Sequence, residues 1–236
     1  MGGRTNTAVA VSLALALVAG VVVSAVMADG FRETRVDLND GGVWVTRPGQ
    51  AGRLNTQIRS IEVAIAGSTG VDVVQAGDDV VMFNQAQGEM HAISAALADK
   101  GDVRKIPKGS TVALTGAVGI LADPGKGRIW VTPSSDLGVL EIKGTKPDVT
   151  LKGSNKESVV AAGTDGHAYI YQRGSKVLRV VAPGGEPEEI QLDAAIADPS
   201  ITVVGDQPVL LDGRKRLLVV PGKSDIDLSD QGDDLT

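Results

Sequence analysis

The chain has 236 residues, a formal charge of −6, two histidines (His91 and His167) and no cysteine. Its 23 Lys+Arg against 29 Asp+Glu oppose a nucleic-acid surface, because phosphate binding draws its affinity from Lys and Arg. Without cysteine there are no disulfides, thiolate zinc sites, iron–sulfur clusters or thiol nucleophiles, and two histidines cannot make a three-His metal site.

Residues 8–28 read AVAVSLALALVAGVVVSAVMA, with no charge. As a helix this run would extend about 31 Å, close to the thickness of a bilayer core. Arg4 and the α-amino group precede it, so the positive-inside rule predicts residues 1–7 in the cytoplasm and everything from Asp29 outside. The competing expectation is a cleaved secretory signal, with Val26 and Ala28 before the cut. Signal h-regions run about 7–15 residues, shorter than this one, which favours an uncleaved anchor. Residues 29–41 then form a juxtamembrane linker, 42–222 the extracytoplasmic domain, and 223–236 an acidic linker or tail.

The domain reads as short apolar runs between Gly, Pro, Asp and Asn clusters. The clearest are Val43–Thr46, Val71–Gln75, Val80–Asn84, Thr111–Leu114, Val118–Leu121 and Ile129–Thr132, then Val159–Ala162, Ala168–Tyr171, Val177–Val181, Ile201–Val204, Val209–Leu211 and Leu217–Val220. Their length and their Val, Ile and Leu content predict strands. Only Ala92–Ala98 and Gln191–Ala197 have a helical look, and each is too short to stand alone. The fold class expected is all-β.

Repetition refines that expectation. Val43-Trp44-Val45-Thr46 recurs as Ile129-Trp130-Val131-Thr132. Phe83 stands near the midpoint, Tyr169 and Tyr171 follow Trp130, and Leu210 and Leu211 come later still. Five units spaced by roughly 40–45 residues match the blade period of a four-stranded β-propeller. Turn glycines support hairpins at Gly77-Asp78-Asp79, Asp165-Gly166, Gly205-Asp206 and Asp212-Gly213. In the first run Val43 and Val45 point to one face, and Trp44 and Thr46 to the other. Both faces are apolar, so neighbouring blades must stack on such a sheet. A two-layer sandwich accounts equally well for the strand number but not for the recurrence. The tail Ser224–Thr236 carries no strand pattern and offers no strand to fasten a first blade; either the ring closes on the strands above or the natural chain continues.

The stretch Val36-Asp37-Leu38-Asn39-Asp40-Gly41-Gly42-Val43-Trp44-Val45-Thr46, with Gly52-Arg53-Leu54-Asn55 after it, follows directly on the apolar segment. It resembles the N-terminal part of large actinobacterial cell-envelope proteins that carry C-terminal fibronectin type III or immunoglobulin-like domains. The resemblance implies a short cytoplasmic start, one span and a propeller-like β region. No fibronectin-type segment follows Thr236, so polysaccharide attachment or degradation residing in such domains does not carry over. Ala162-Gly163-Thr164-Asp165-Gly166-His167-Ala168-Tyr169, with Gly174 after it, is similar to the Asp-Gly-x-x-Tyr hairpin of quinoprotein-type repeats. The tryptophan that closes those repeats is missing, with Leu178 near its place, so no quinone cofactor is implied.

Chemistry-bearing residues are sparse. His167 follows a turn and His91 sits in a hairpin strand, and neither has a partner assignable from sequence. Gly119–Gly127, GILADPGKG, has five residues between Gly119 and Gly125 and no Ser or Thr after Lys126, so it is a β-turn and not a phosphate loop. Asp225, Asp227 and Ser229 alternate like the first ligands of a calcium loop, but Gly232 is misplaced and no Glu closes the set. Asp123-x-Gly125 before Trp130 fails as a sialidase-type Asp box, since Leu121 stands where Ser or Thr belongs. There is no Gly-x-Ser-x-Gly elbow. The acid pairs Glu188/Glu189 and Asp78/Asp79 are read as strand or turn residues, and Trp44 and Trp130 as packing residues. The sequence therefore yields no catalytic, cofactor-binding or metal-binding residue. It points to a single-pass, membrane-anchored scaffold or interaction module whose partners are the membrane and an envelope protein or glycan. The alternative is an enzyme, a glycoside hydrolase or its accessory protein, acting on polysaccharide.

Overall fold

A computed structural model describes residues 42–94, 99–153 and 157–229. The apolar segment 8–28, the linker 29–41 and the last residues of the tail lie outside them. Among the described residues no helix is long and apolar enough to cross a membrane.

The strands form five antiparallel sheets in chain order. The first sheet holds β1 (Gly42–Arg47), β2 (Gln50–Asn55) and β3 (Ser60–Ala66); the second holds β4 (Val71–Ala76), β5 (Asp79–Asn84), β6 (Glu89–Ser94), β7 (Asp99–Lys100) and β8 (Arg104–Lys105). The third has β9 (Thr111–Leu114), β10 (Val118–Asp123), β11 (Arg128–Pro133) and β12 (Val149–Thr150), with the single helical turn α1 (Ser134–Leu137) after β11. The fourth has β13 (Ser158–Ala162), β14 (Ala168–Gln172), β15 (Val177–Val181) and β16 (Glu188–Gln191), and the fifth β17 (Pro199–Val204), β18 (Gln207–Asp212), β19 (Leu217–Val219) and β20 (Ile226–Asp227). Within each sheet the strands follow one another as a meander, except that β7 and β8 both pair with β6, and the first strand of each sheet lies against the first strand of the next.

Alternation along the strands places a hydrophobic core between each pair of neighbouring sheets. Trp44, Ala51 and Ile65 meet Val80, Met82 and Ile93 between sheets one and two. Val81, Phe83 and Met90 meet Leu121, Trp130 and Leu137 between two and three. Ile120, Ile129 and Val131 meet Ala168, Ile170 and Val181 between three and four. Tyr169, Tyr171 and Leu178 meet Leu210 between four and five. Burying a side chain of this size contributes about 1.5–3 kcal/mol, so the stack is held mainly by these layers.

Polar contacts fix how the layers sit. The Gln75 side chain accepts from Trp44 N at 3.0 Å and donates to Gly42 O at 3.1 Å, joining sheets one and two. Ser134 Oγ donates to Asp79 Oδ2 at 2.5 Å, tying α1 to the start of β5. Thr115 Oγ1 donates to Gly163 O and Thr164 Oγ1 to Gly205 O, each at 2.9 Å, linking the first turns of sheets three, four and five.

A second set of turns repeats between the second and third strands. Asn55, Asn84, Asp123 and Asp212 each end a second strand, and each side chain accepts one or two backbone N–H groups two or three residues on. The fifth residue of each turn takes positive φ: Arg59, Gly88, Gly127 and Arg216. An Asn or Asp that bonds to the following backbone favours such a turn over continued strand.

The structure corrects several sequence expectations. The two tryptophan runs occupy non-equivalent places, since Trp44 is in the first strand of its sheet and Trp130 in the third of its own. The equivalent second strands are those of Phe83, Tyr169/Tyr171 and Leu210/Leu211. Ala92, Ile93 and Ser94 belong to β6, because cross-strand pairing to Val81 and Val80 overrides alanine's helical preference; residues 95–98 lie outside the described set. Gln191–Ala197 forms no helix: Gln191 ends β16 and Leu192 and Ile196 turn inward to the core. The expected tail contributes a strand after all, as Ile226 pairs with Leu218 and Leu228 N bonds to Arg216 O. Backbone pairing of two residues leaves no side-chain pattern by which sequence could announce it.

The turn after β5 provides a stability test. A Cβ at Gly88 would lie 2.5 Å from Ile106 O, and φ there is +68°. At Gly205, φ is +65° but nothing lies within 4 Å. Gly88→Ala is expected to cost about 3 kcal/mol or more in urea unfolding, and Gly205→Ala only about 1–2 kcal/mol. Equal costs would mean that the Gly88–Ile106 approach does not hold β8 in place.

Candidate functional site

The most distinctive surface of the domain lies on its first and last sheets. Directly opposed residues of antiparallel strands share a face, so Val43, Leu54 and Ile61 line one face of sheet one together with Val45. Trp44, on the opposite face, is 5% exposed, whereas Val43 is 46%, Val45 39% and Ile61 55% exposed. In sheet five Leu211, Leu218 and Ile226 line one face with Val209, and Val204 stands beside them at the strand end. Val204 is 66% and Ile226 52% exposed, while Val209, Leu211 and Leu218 are half-buried. In sheet three both faces are covered: Trp130 is 2% exposed on one and Ile129 0% on the other. The terminal sheets thus carry an aliphatic face of the kind that the inner sheets bury.

The edge of sheet one is open as well. Sheets two to five each continue beyond their third strand, whereas among the described residues β3 has no further strand beside it. A bulge at Arg53/Leu54 displaces β3, and Glu62 pairs with Arg53 at 4.0 Å and accepts from Asn55 Nδ2 at 2.7 Å. Trp44 Nε1 is buried and has no hydrogen-bond partner among the described residues. Trp130 Nε1, by contrast, donates to Thr145 O at 3.1 Å.

The histidines fall in separate places. His91, on β6, has Nδ1 3.1 Å from Gly101 O. His167 Nδ1 lies 3.1 Å from Asp165 Oδ2, and Tyr169 Oη donates to the same oxygen at 2.7 Å and to Asp206 O at 3.2 Å. Burial would raise the Asp165 carboxyl, but bonds from Tyr169, the His167 backbone N–H and the His167 ring outweigh it and hold it below its ordinary value. Burial pushes the Tyr169 phenol up, and its bond to Asp165 adds to that rise. With a tyrosine only 4% exposed and bonded to the next sheet's turn, this group works as a clasp between sheets four and five.

The remaining sequence candidates are structural in place. Gly119–Gly127 spans β10 and its turn, and Asp123 takes Gly125 N, Lys126 N and the Arg128 guanidinium. Glu188 and Glu189 stand exposed on neighbouring positions of β16, with Glu189 paired to Arg179 at 3.1 Å. Asp78 is exposed in its turn, and Asp79 accepts from Ser134. Asp227 accepts from Ser229 N at 2.8 Å. Among the described residues no group of three or more His, Asp or Glu is placed to hold a metal ion.

No protein-family model matches the chain, and no curated protein matches its sequence. Solved structures do match. A dihydro-heme d1 dehydrogenase, NirN, solved in complex with DHE, superposes with a TM-score of 0.61 at 10% identity, covering 80% of this chain and 44% of that one. A virginiamycin B lyase from Staphylococcus aureus gives 0.57 at 12% identity, covering 80% of this chain and 67% of that one. A streptogramin B lyase gives 0.56 at 13%, with 80% and 66% covered. The chain therefore spans less than half the length of the first structure and about two-thirds of each lyase. At such identities the likeness concerns the fold alone: all-β and β-propeller-like.

The clasp predicts two limbs of a pH profile. A carboxyl depressed in the folded state contributes stability above its unfolded pKa, and that contribution is lost as pH falls below about 4. A phenol raised in the folded state contributes stability below about pH 10 and loses it as pH rises further. Asp165→Asn should flatten the acid limb of the urea midpoint, and Tyr169→Phe the alkaline limb. Wild-type profiles in both variants would remove the clasp from the account.

Proposed function

We propose that the domain is a non-catalytic interaction module of the cell envelope, held at the membrane by residues 8–28, and that its five sheets are consecutive blades of a propeller-like array. The uncovered aliphatic faces of the first and last sheets carry this reading. Val43, Val45, Leu54 and Ile61 on one, and Val209, Leu211, Leu218 and Ile226 on the other, are what a further β-sheet would bury. Contiguous exposed apolar surface on a folded domain marks an association site. The solved propeller-like structures support the blade-like arrangement of the sheets.

The test uses the full chain in lipid nanodiscs. Val45→Asp and Val209→Asp should change folding stability by less than about 1 kcal/mol while reducing hydrophobic-dye binding and contact cross-linking at these faces. Val131→Asp, between sheets three and four, should cost about 4 kcal/mol or more, because it buries a charge without a partner. A Val45→Asp chain that unfolds like Val131→Asp would overturn the reading. Protease on intact cells should leave only the extreme N-terminus protected; resistance of residues 29–236 would overturn the topology. Release of reducing sugar from wall glycan would favour the polysaccharide-degrading alternative.

A further inference from the structure

The repeated Asn/Asp turns allow one sheet to be compared with another, and the comparison isolates Asp212. Asp123 and Asp212 hold the same place at the end of a second strand, 4% and 1% exposed. In sheet three the residue directly opposite Asp123 is Arg128, which gives Asp123 Oδ2 two bonds, from Nε at 3.2 Å and Nη2 at 2.9 Å. In sheet five the residue directly opposite Asp212 is Leu217. Asp212 Oδ1 caps the turn through Arg214 N and Lys215 N. The cation next to its other oxygen is Lys215, whose Nζ stands 4.0 Å from Oδ2 on a side chain 57% exposed. An exposed pair at that distance gives little compensation to a carboxylate removed from water.

Asp212 also lines a cavity of about 610 Å³ between sheets four and five. Leu192, Ile196, Leu217 and Val219 supply an apolar wall, and Asp193, Lys215, Lys223 and Asp225 stand on the polar side of this half-open cavity. This volume lies in the range of small-molecule sites, which combine apolar walls with a few polar groups.

We propose that this cavity is a binding site for an aliphatic ammonium or guanidinium group, its cation on Asp212 Oδ2 where Arg128 sits in the sister turn, and its hydrocarbon against Leu192, Ile196 and Leu217. The ligand completes the ion pair that sheet three makes internally. The inference goes beyond the envelope-module reading and does not depend on membrane attachment.

Titration of the full chain in nanodiscs with n-pentylammonium, with 1-pentanol as the uncharged control, tests it by methyl NMR shifts at Leu192, Ile196 and Leu217. Pentylammonium should shift these methyls saturably, and pentanol at least tenfold more weakly. Asp212→Asn keeps the turn cap, as Asn55 and Asn84 do in their own turns, and should weaken pentylammonium at least tenfold. Lys215→Ala, which removes the competing cation, should tighten it severalfold. Leu217→Arg, which installs the sister pair, should abolish binding. Stronger binding of the tripeptide Gly-Lys-Gly than of pentylammonium would identify a protein lysine as the source of the cation, and the reverse a free amine; both uphold the site. Equal binding of pentanol, or unchanged binding in Asp212→Asn, overturns it, whatever the outcome for the terminal faces.

Discussion

Everything in this fold depends on sheets that are apolar on both faces. A strand such as β10, with all six residues from Val118 to Asp123 buried, cannot lie on the surface of a two-layer structure, where one face would meet water. It requires a neighbour on each side, and that neighbour has the same need. Stacking sheet upon sheet answers the requirement for the inner members and passes it outward. Among the described residues no further sheet answers it at the two ends, where Val43, Ile61, Val204 and Ile226 stand exposed.

Apolar layers alone would allow the sheets to slide or rotate against one another, because the hydrophobic effect is non-directional. The directional contacts are few and placed at turns. Gln75, Ser134, Thr115 and Thr164 each bond a backbone or side-chain group of the neighbouring sheet. Tyr169 does the same from within the core by reaching Asp206 O while its ring packs between sheets four and five. Turn chemistry therefore serves twice: it reverses the chain and sets the angle between layers.

Much of this was legible in the sequence. Runs such as Val80–Asn84 and Ala168–Tyr171 are strands because length and β-branched content specify them locally. The all-β class and the stacking of repeated sheets followed from those runs. The register of the repeat did not. Tryptophan is the conspicuous marker of the repeat, but Trp44 and Trp130 are placed by the size of the space between layers, and such space arises in different strands of different sheets. The inconspicuous Asn55, Asn84, Asp123 and Asp212, each four residues before a Gly or Arg at positive φ, mark equivalent places because backbone geometry requires them there. Strands β7, β8, β12 and β20 were hidden for another reason: two-residue pairings are set by the partner's free backbone groups and not by their own side chains.

The same turns show how such a scaffold acquires sites without altering its fold. The cap is constrained, since an Asn or Asp oxygen must meet the N–H groups of the turn. The residue directly opposite is free: Ser60 faces Asn55, Glu89 faces Asn84, Arg128 faces Asp123 and Leu217 faces Asp212. Where arginine stands opposite, the carboxylate is satisfied and the turn is only structural. Where leucine stands opposite, the acid keeps its place by the backbone's demand, and the cation beside it is the exposed Lys215 at 4.0 Å. A fold that fixes an acid for conformational reasons and leaves the residue opposite it to vary holds Asp123 against Arg128 in sheet three and Asp212 beside a more exposed lysine in sheet five.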